Sequence, residues 1–285
     1  MARRYCKKNE VPLEDVNLIL LNGGINDMGA TKILLPKLLG GNIAVHAHDY
    51  CEVEMSLLLD KLANTFPNAR MIVPGYFPLV SVRTPEKVVL ETIGYLFLHK
   101  KDPGNSQGAI KEQSASAPNA IAASQKPGII LKKLDKRSKE WASASNAALT
   151  TAVNSFNTSH PLLPIAGNNV SSLPPKASMR AIFVPVSFAD ENAYAANNAY
   201  LWRLFRRSPN LVLECAEKDP LKNLIVIDEL QAERPCMCDQ ADKRNDIICL
   251  RAAAFHPNIQ GAEAYFAAIE GELEKIWPFT RWGSE

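Results

Sequence analysis

The sequence predicts an α/β fold, a single domain of three layers in which helices cover both faces of a parallel sheet. Short apolar runs that end in turn residues are typical of buried parallel strands. Segments with apolar residues at helical spacing lie between these runs, which is the order of βαβ units. The composition is that of an ordinary globular protein, with 47% hydrophobic and 22% charged residues among 285. The bulk of the chain is therefore expected to fold.

Four apolar runs are predicted to be strands. The first, Val16 to Leu21, ends at Asn22-Gly23-Gly24, and the second extends from Arg70 to Tyr76. The third and fourth are Ala181 to Ser187 and Asn223 to Ile227. Each is short and bounded by polar or turn residues, as expected for strands buried on both faces.

Helical spacing of apolar residues predicts four helices. They are Val53 to Leu62, Leu131 to Phe156, Asn197 to Phe205 and Gly261 to Trp277. The second begins with a basic cluster that we interpret as a solvated helix face: Lys132, Lys133, Lys136, Arg137 and Lys139. Residues 102–128 are rich in Gly, Ser, Ala, Gln, Asn and Pro, which predicts a flexible insertion in one domain of residues 1–285.

Charge and hydropathy disfavour two classes of partner. The 32 Lys and Arg residues nearly balance the 30 Asp and Glu residues, leaving a net charge of +2, which does not indicate a surface for nucleic acid. No apolar run approaches the ~18 to 20 residues that span a bilayer, so no membrane span is predicted. The basic N-terminus leads into Asn9 and Glu10 rather than an apolar stretch, so it does not have the pattern of a signal peptide.

The residues after the first strand form the first candidate site. Ligands of open α/β sheets bind beyond the carboxyl ends of the strands, and Asn22-Gly23-Gly24-Ile25-Asn26-Asp27 occupies that position. Glycines permit a sharp turn, and the Asn26 amide can donate a hydrogen bond to a developing oxyanion. The alternative is a structural turn in which the Asn and Asp side chains bind the backbone.

A second candidate lies directly before the last helix, in Phe255-His256-Pro257-Asn258-x-x-Gly261. A histidine in a loop at a helix start is accessible to solvent and can titrate near neutrality, as a general base must. The alternative is a surface or capping histidine without a catalytic role.

These two motifs together resemble the SGNH (GDSL) hydrolase family of esterases and lipase-like enzymes. The segment from Pro67 to Leu79 is also similar to the strand and turn that follow the first motif in that family. The resemblance implies a flavodoxin-like three-layer sheet, an oxyanion-hole role for Asn26, a general-base role for His256, and a supporting turn at Gly24 and Asp27. It implies no cofactor, and its substrates would be small-molecule esters, acylated carbohydrates or lipids.

The chain departs from the family at two positions. The family's nucleophile lies in a Gly-Asp-Ser block upstream of the first motif, whereas no serine precedes Gly24 here. The family's acid lies three residues before the histidine, where this chain has Ala253. Either the sequence is N-terminally truncated, or it is a natural derivative that serves as a non-catalytic interaction or binding domain. Truncation is favoured for a reason of sheet topology. In a flavodoxin-like sheet the segment before Val16 would include the central first strand and its neighbour, and without them the strand from Val16 to Leu21 would have an unpaired edge.

Other residues suggest alternative chemistry. His46-Ala-His48 could bind a metal if it lies at a strand end, where alternate side chains share one face; this is the alternative of a metal-dependent hydrolase. A disulfide from Cys236 or Cys238 to Cys249 fits better than a zinc site, because paired Cys-x-x-Cys spacing is missing; free thiols are the alternative. Ser81 and Ser187 follow predicted strand ends, but neither lies in the pattern of a nucleophile elbow.

The unpaired edge predicts that this chain alone is poorly stable or aggregation-prone. We expect light scattering that rises with protein concentration and an unfolding transition without a sharp midpoint. Cooperative unfolding of a soluble monomer would contradict this prediction.

Overall fold

The computed structural model of the protein describes residues 2–23, 25–34, 41–98, 128–161, 179–202 and 255–276. The chain divides into two compact units. Unit 1 comprises Met1–Pro78, Lys136–Phe188 and Ala262–Glu285, and unit 2 comprises Leu79–Asp135 and Ala189–Gly261. The predicted insertion, apart from Gly128, and the predicted strand from Asn223 to Ile227 lie outside the described residues.

The described part is a mixture of helices and a small parallel sheet. Its strands are β1 (Leu18–Leu20), β2 (Arg70–Pro74) and β3 (Ala181–Val184). Its α-helices are α1 (Ala2–Lys8), α2 (Ile25–Met28), α3 (Ala30–Leu34), α4 (Ile43–Ala47), α5 (Glu54–Thr65), α6 (Glu86–Leu98), α7 (Ile129–Ser159) and α8 (Ile259–Ile276). A π-helical segment, His48–Val53, joins α4 to α5, and Leu13–Asp15 and Asp190–Asn192 form 3₁₀ turns.

All three strands are parallel and lie in the order β1-β2-β3. Leu18 pairs with Arg70, and Ile72 pairs with Ile182, so the register aligns the carboxyl ends of the strands at one edge. The α/β class is therefore confirmed, and three of the predicted strands are present in shortened form. Among the described residues, β1 has one neighbouring strand.

Both faces of the sheet carry apolar contacts in unit 1. On one face, Ile72, Ile182 and Val184 pack with residues of α8, including Ile269 and Leu273. Ile19 lies on the opposite face, because successive side chains of a strand alternate. It packs against a cluster of Cys6, Phe66 and Ala69 with Leu62 of α5 and the loop residues Leu13 and Val16.

The periodic segments of the sequence become helices, with one exception. Helices α5, α7 and α8 confirm three of the four helix predictions. The prediction of a helix from Asn197 to Phe205 is wrong over its described part, where the chain forms turns and Leu201 bridges Pro257. The C=O group of Tyr200 and the N–H and C=O groups of Trp202 form hydrogen bonds with residues 255–258. Tertiary pairing of this kind overrides a weak local helical preference.

Arg137 contradicts the prediction that the basic cluster at the start of α7 is a solvated helix face. Its side chain is buried, and its Nε donates to the carbonyl of Ile33 at 3.0 Å, while Nη2 donates to Lys32 at 3.3 Å. These carbonyls end α3, where helical acceptors have no partner within the helix. Burial lowers the pKa of Arg137, and nearby Glu140 opposes that shift. Lys132, Lys133 and Lys136 are exposed, as predicted.

Arg180 serves the end of α5 in the same way. Its Nη2 donates to the carbonyls of Ala63, Phe66 and Pro67 at 2.9, 3.1 and 2.8 Å. Burial lowers the pKa of the guanidinium. The helix terminus beside the sheet is thus closed by a side chain from the start of β3.

None of the described helices is long and apolar enough to cross a membrane.

Replacing Arg180 by Met should lower the free energy of unfolding by about 1 to 3 kcal/mol, because three carbonyls lose the guanidinium donor while the aliphatic stem is kept. Urea denaturation measures the change. Arg4→Met on the exposed side of α1 is the control, and its effect should stay within about 0.5 kcal/mol. Equal effects of the two substitutions would contradict the capping role.

Candidate functional site

The carboxyl ends of the three strands define the candidate site of unit 1. β1 leads into residues 21–25, β2 leads into Gly75 and Tyr76, and β3 leads into residues 185–187. Since all three strands are parallel, these segments share one edge of the sheet, which is where open α/β sheets bind ligands. The motif containing Asn26 therefore lies at the carboxyl edge of the sheet, where its position after a predicted strand placed it.

Asn26 and Asp27 lie on α2, a helix of four residues directly after the glycines. Met28 ends this helix and is buried, which anchors it to the unit. Gly24 lies outside the described residues. The segment is thus a short helix and not only a turn.

Tyr76 braces the loop that leads into α2. Its hydroxyl lies 2.5 Å from the carbonyl oxygen of Gly23 and 3.1 Å from Oδ1 of Asn22, and it accepts a hydrogen bond from the N–H of Ile25 at 3.1 Å. One hydroxyl proton can serve only one of the two acceptors at a time. The hydroxyl oxygen nevertheless contacts the loop at both of its ends.

Asn146 of α7 holds the backbone of Tyr76. The Tyr76 N–H donates to Oδ1 of Asn146 at 2.6 Å, and Nδ2 of Asn146 donates to the Tyr76 carbonyl at 2.9 Å. The last bond between β2 and β3 runs from the Gly75 N–H to Val184. The Asn146 amide therefore continues the strand pairing by one residue, as a neighbouring strand would.

Gly75 is required for this approach. A Cβ atom at position 75 would lie 2.7 Å from Oδ1 of Asn146 and 2.9 Å from the ring of Phe183. Both distances are shorter than side chains tolerate, so any larger residue would displace Asn146 or Phe183. Trp141, fully buried, packs against the ring of Tyr76 with centroids 5.5 Å apart.

A buried aromatic cluster lies next to this edge. Phe77 stacks on Phe188 at 4.2 Å, and Tyr265 of α8 meets both rings edge-on. The Tyr265 hydroxyl donates to the carbonyl of Gly75 at 2.9 Å. Burial raises the pKa of Tyr265 well above its ordinary value, and Tyr76 adds to the shift, so this hydroxyl stays protonated and serves as a donor.

His256 lies in unit 2 on a backbone that is held on both sides. Its carbonyl accepts from the Trp202 N–H at 2.9 Å, and Pro257 bridges Leu201 in antiparallel fashion. The preceding Phe255 has φ of 69° and is buried against Tyr194 with ring centroids 4.4 Å apart. The imidazole of His256 is exposed. The turn thus presents the side chain to solvent while its neighbours anchor the chain.

The rest of the His256 motif has a structural explanation. Asn258 is buried, and its Oδ1 accepts from the Gly261 N–H at 2.9 Å, which caps the start of α8. Its Nδ2 donates to the carbonyl of Ala199 at 2.7 Å. At position 261 a Cβ atom would lie 2.3 Å from the Tyr200 carbonyl oxygen, so only glycine fits.

The structure does not bring the two predicted site residues into one unit. Asn26 belongs to unit 1 and His256 to unit 2. Ala253, which replaces the acid of the family motif, and nearby Asp246 lie outside the described residues.

The two serines after strand ends differ in accessibility. Ser81 is fully buried; its hydroxyl donates to the Asp190 carbonyl and accepts from the Arg83 N–H. Such a hydroxyl stabilises a turn and is closed to a substrate. Ser187, after β3, is exposed.

The prediction that His46 and His48 lie at a strand end, on which the metal-dependent alternative depends, is wrong. His46 lies on α4 and His48 opens the π-helical segment, so side chains two residues apart do not share a face. His48 instead lies 3.2 Å from Glu52, and His46 stacks near Tyr50. Among the described residues no three His, Cys, Asp or Glu side chains form a group that could hold a metal. Cys236, Cys238 and Cys249 lie outside them.

Tyr76 and Asn146 are the site residues that the sequence analysis missed. Tyr76 is the last residue of the second predicted strand and follows a glycine, which is the signal that could have identified it. Asn146 is one of many polar residues of α7, and nothing local indicates which backbone it binds.

Comparisons with known proteins identify no relative. No protein-family model matches the chain, no curated protein is similar to it, and no solved structure resembles it. The class that the fold and site define is therefore a mixed α/β protein with a small parallel sheet and a tyrosine-braced glycine loop at its carboxyl edge.

Gly261→Ala should destabilise the start of α8, because the added Cβ meets backbone that cannot yield easily. Gly271→Ala on the same helix meets nothing within 4 Å, so it should raise stability by about 0.5 to 1 kcal/mol through helix propensity. Thermal unfolding of both variants measures the difference. The same sign of change in both would contradict the close approach at Tyr200.

Proposed function

We propose that this chain is an SGNH-type ester hydrolase domain, in which Asn26 donates to the oxyanion and His256 is the general base. The observation that carries the proposal is the location of the Asn26 segment at the carboxyl edge of a parallel sheet, with its leading loop braced by Tyr76. Donors held in advance of the reaction stabilise a developing charge most effectively. A flavodoxin-like sheet belongs to the same proposal.

The geometry of the loop narrows the candidates for the oxyanion donor. The Ile25 N–H already donates to the Tyr76 hydroxyl, so it is not available to a substrate. In this segment the side-chain amide of Asn26 is the donor that the resemblance assigns, and its helix begins at the braced residue. The bracing supports a catalytic role better than an unsupported surface turn would.

The exposure of His256 supports its role as base. A general base must reach the proton it removes, and the imidazole is exposed on a turn whose backbone is paired with residues 200–202. In the reaction, a nucleophilic hydroxyl would attack the ester carbonyl while His256 takes its proton. The proton then goes to the leaving alcohol, and water repeats the sequence on the acyl intermediate.

The nucleophile is the part of the proposal that the sequence before Gly24 does not supply, because it contains no serine. Ala253 in place of an acid favours the alternative of a non-catalytic binding domain on a hydrolase scaffold. The chemistry needs neither a metal nor an organic cofactor. Substrates would be small-molecule esters, with acylated carbohydrates and lipids in the same chemical class.

Asn26→Ala should lower kcat for p-nitrophenyl acetate hydrolysis by about 10² to 10³, the usual cost of losing one oxyanion donor. His256→Gln should abolish turnover above background. Asn154→Ala on the exposed face of α7 and His48→Gln are matched controls, and neither should change kcat by more than about twofold. Full activity in the Asn26→Ala variant would contradict the assignment of Asn26 as the oxyanion donor.

A fluorophosphonate probe, followed by mass spectrometry of the labelled peptide, identifies the nucleophile. Labelling of one serine, lost in the His256→Gln variant, is expected for the hydrolase. A chain that neither reacts with the probe nor hydrolyses the ester would be the binding domain instead.

A further inference from the structure

The Tyr76 hydroxyl is the contact that ties the carboxyl edge of β2 to the loop after β1. Its oxygen approaches Gly23 and Asn22 on one side and the Ile25 N–H on the other. These residues precede Asn26 directly in sequence. A hydroxyl that contacts both ends of a glycine-containing loop removes conformations that glycine would otherwise permit.

The hydroxyl can act in this way because the rest of Tyr76 is immobile. The side chain is 3% exposed, both backbone polar groups bind Asn146, and Trp141 packs against the ring. The glycine at position 75 leaves the space that Asn146 needs. The hydroxyl is thus a fixed point and not the end of a freely rotating side chain.

Tyr265 offers a comparison within the same unit. It too is largely buried and donates its hydroxyl proton to a backbone carbonyl at 2.9 Å, but the acceptor is Gly75 at the end of β2. Its bond therefore supports the strand end and makes no described contact with the loop that precedes Asn26. Comparing variants of the two tyrosines therefore distinguishes a loss of stability at this edge from a change in the loop that precedes Asn26.

We infer that Tyr76 is a positioning residue for the Asn26 oxyanion donor, acting through its hydrogen bond with the N–H of Ile25 and its contacts with Asn22 and Gly23. Asn146 supports it by holding the Tyr76 backbone. This inference rests on the proposed function, which supplies the role of Asn26. Tyr76 itself does not touch the reacting atoms.

Tyr76→Phe tests the inference because it removes one oxygen and leaves the ring packed against Trp141. Amide hydrogen exchange at Ile25, followed by NMR, should accelerate about tenfold, since a partly buried N–H loses its acceptor. If the donor is misplaced as a result, kcat for p-nitrophenyl acetate should fall by about 10- to 100-fold, with KM changed by less than about twofold.

Tyr265→Phe is the matched control, since it also loses one buried hydroxyl. It should lower the unfolding midpoint to a similar extent but leave Ile25 exchange and kcat unchanged. Unchanged exchange in Tyr76→Phe would overturn the inference, and so would faster exchange with unchanged kcat. Equal losses of kcat in both tyrosine variants would also overturn it, because they would indicate a structural effect alone.

Failure of the proposed function gives a different result. If the wild-type chain hydrolyses no ester, the proposed function falls, and the positioning role for catalysis falls with it. An active wild type whose kcat is insensitive to Tyr76→Phe would overturn this inference and leave the proposed function standing.

Discussion

The amide of Asn146, bonded to both backbone groups of Tyr76, is the interaction on which the candidate site of unit 1 depends. The strand pairing between β2 and β3 ends at Gly75, and Asn146 supplies an acceptor and a donor to the backbone groups of the next residue, Tyr76. An unsatisfied buried polar group costs about 1 to 3 kcal/mol. By supplying both partners, Asn146 sets the path of the chain after β2 and hence the position of the Tyr76 ring and hydroxyl.

Distant side chains close the ends of other elements in the same way. Asn157, also on α7, accepts from the N–H groups of Arg180 and Ala181 and donates to the Ala181 carbonyl at the start of β3. One face of α7 therefore holds the beginning of β3 and Tyr76, the second residue after β2. Arg137 and Arg180 close helix ends with guanidinium groups whose burial lowers their pKa values. Because every buried N–H and C=O needs a partner, these contacts order the short elements of a small sheet.

The periodic part of the fold was predictable because its signal is local. The apolar run from Val16 to Leu21 favours a strand, and β1 forms there, although Leu20 is exposed and the strand is not buried on both faces as expected. Leu131 to Phe156 carries a helical stripe long enough to outweigh local exceptions. Shorter patterns were less reliable. The segment after Asn197 has helical spacing, yet pairing of Leu201 with Pro257 decides its structure. His46 and His48 have the spacing of a strand motif but lie in helical turns.

By itself the sequence determined the α/β class, three of its strands, three long helices, and the place of Asn26 after a strand and of His256 before a helix. Those features depend on neighbours along the chain. Only the tertiary structure decided that Arg137 is buried, that Ser81 is closed to a substrate and that Asn146 completes the pairing of β2. Asn146 and Tyr76 are separated by 70 residues, and no local pattern specifies a hydrogen bond between side chain and backbone over that distance. Packing of α7 against the sheet brings them together, and their bond then determines where the hydroxyl of Tyr76 meets the glycine loop.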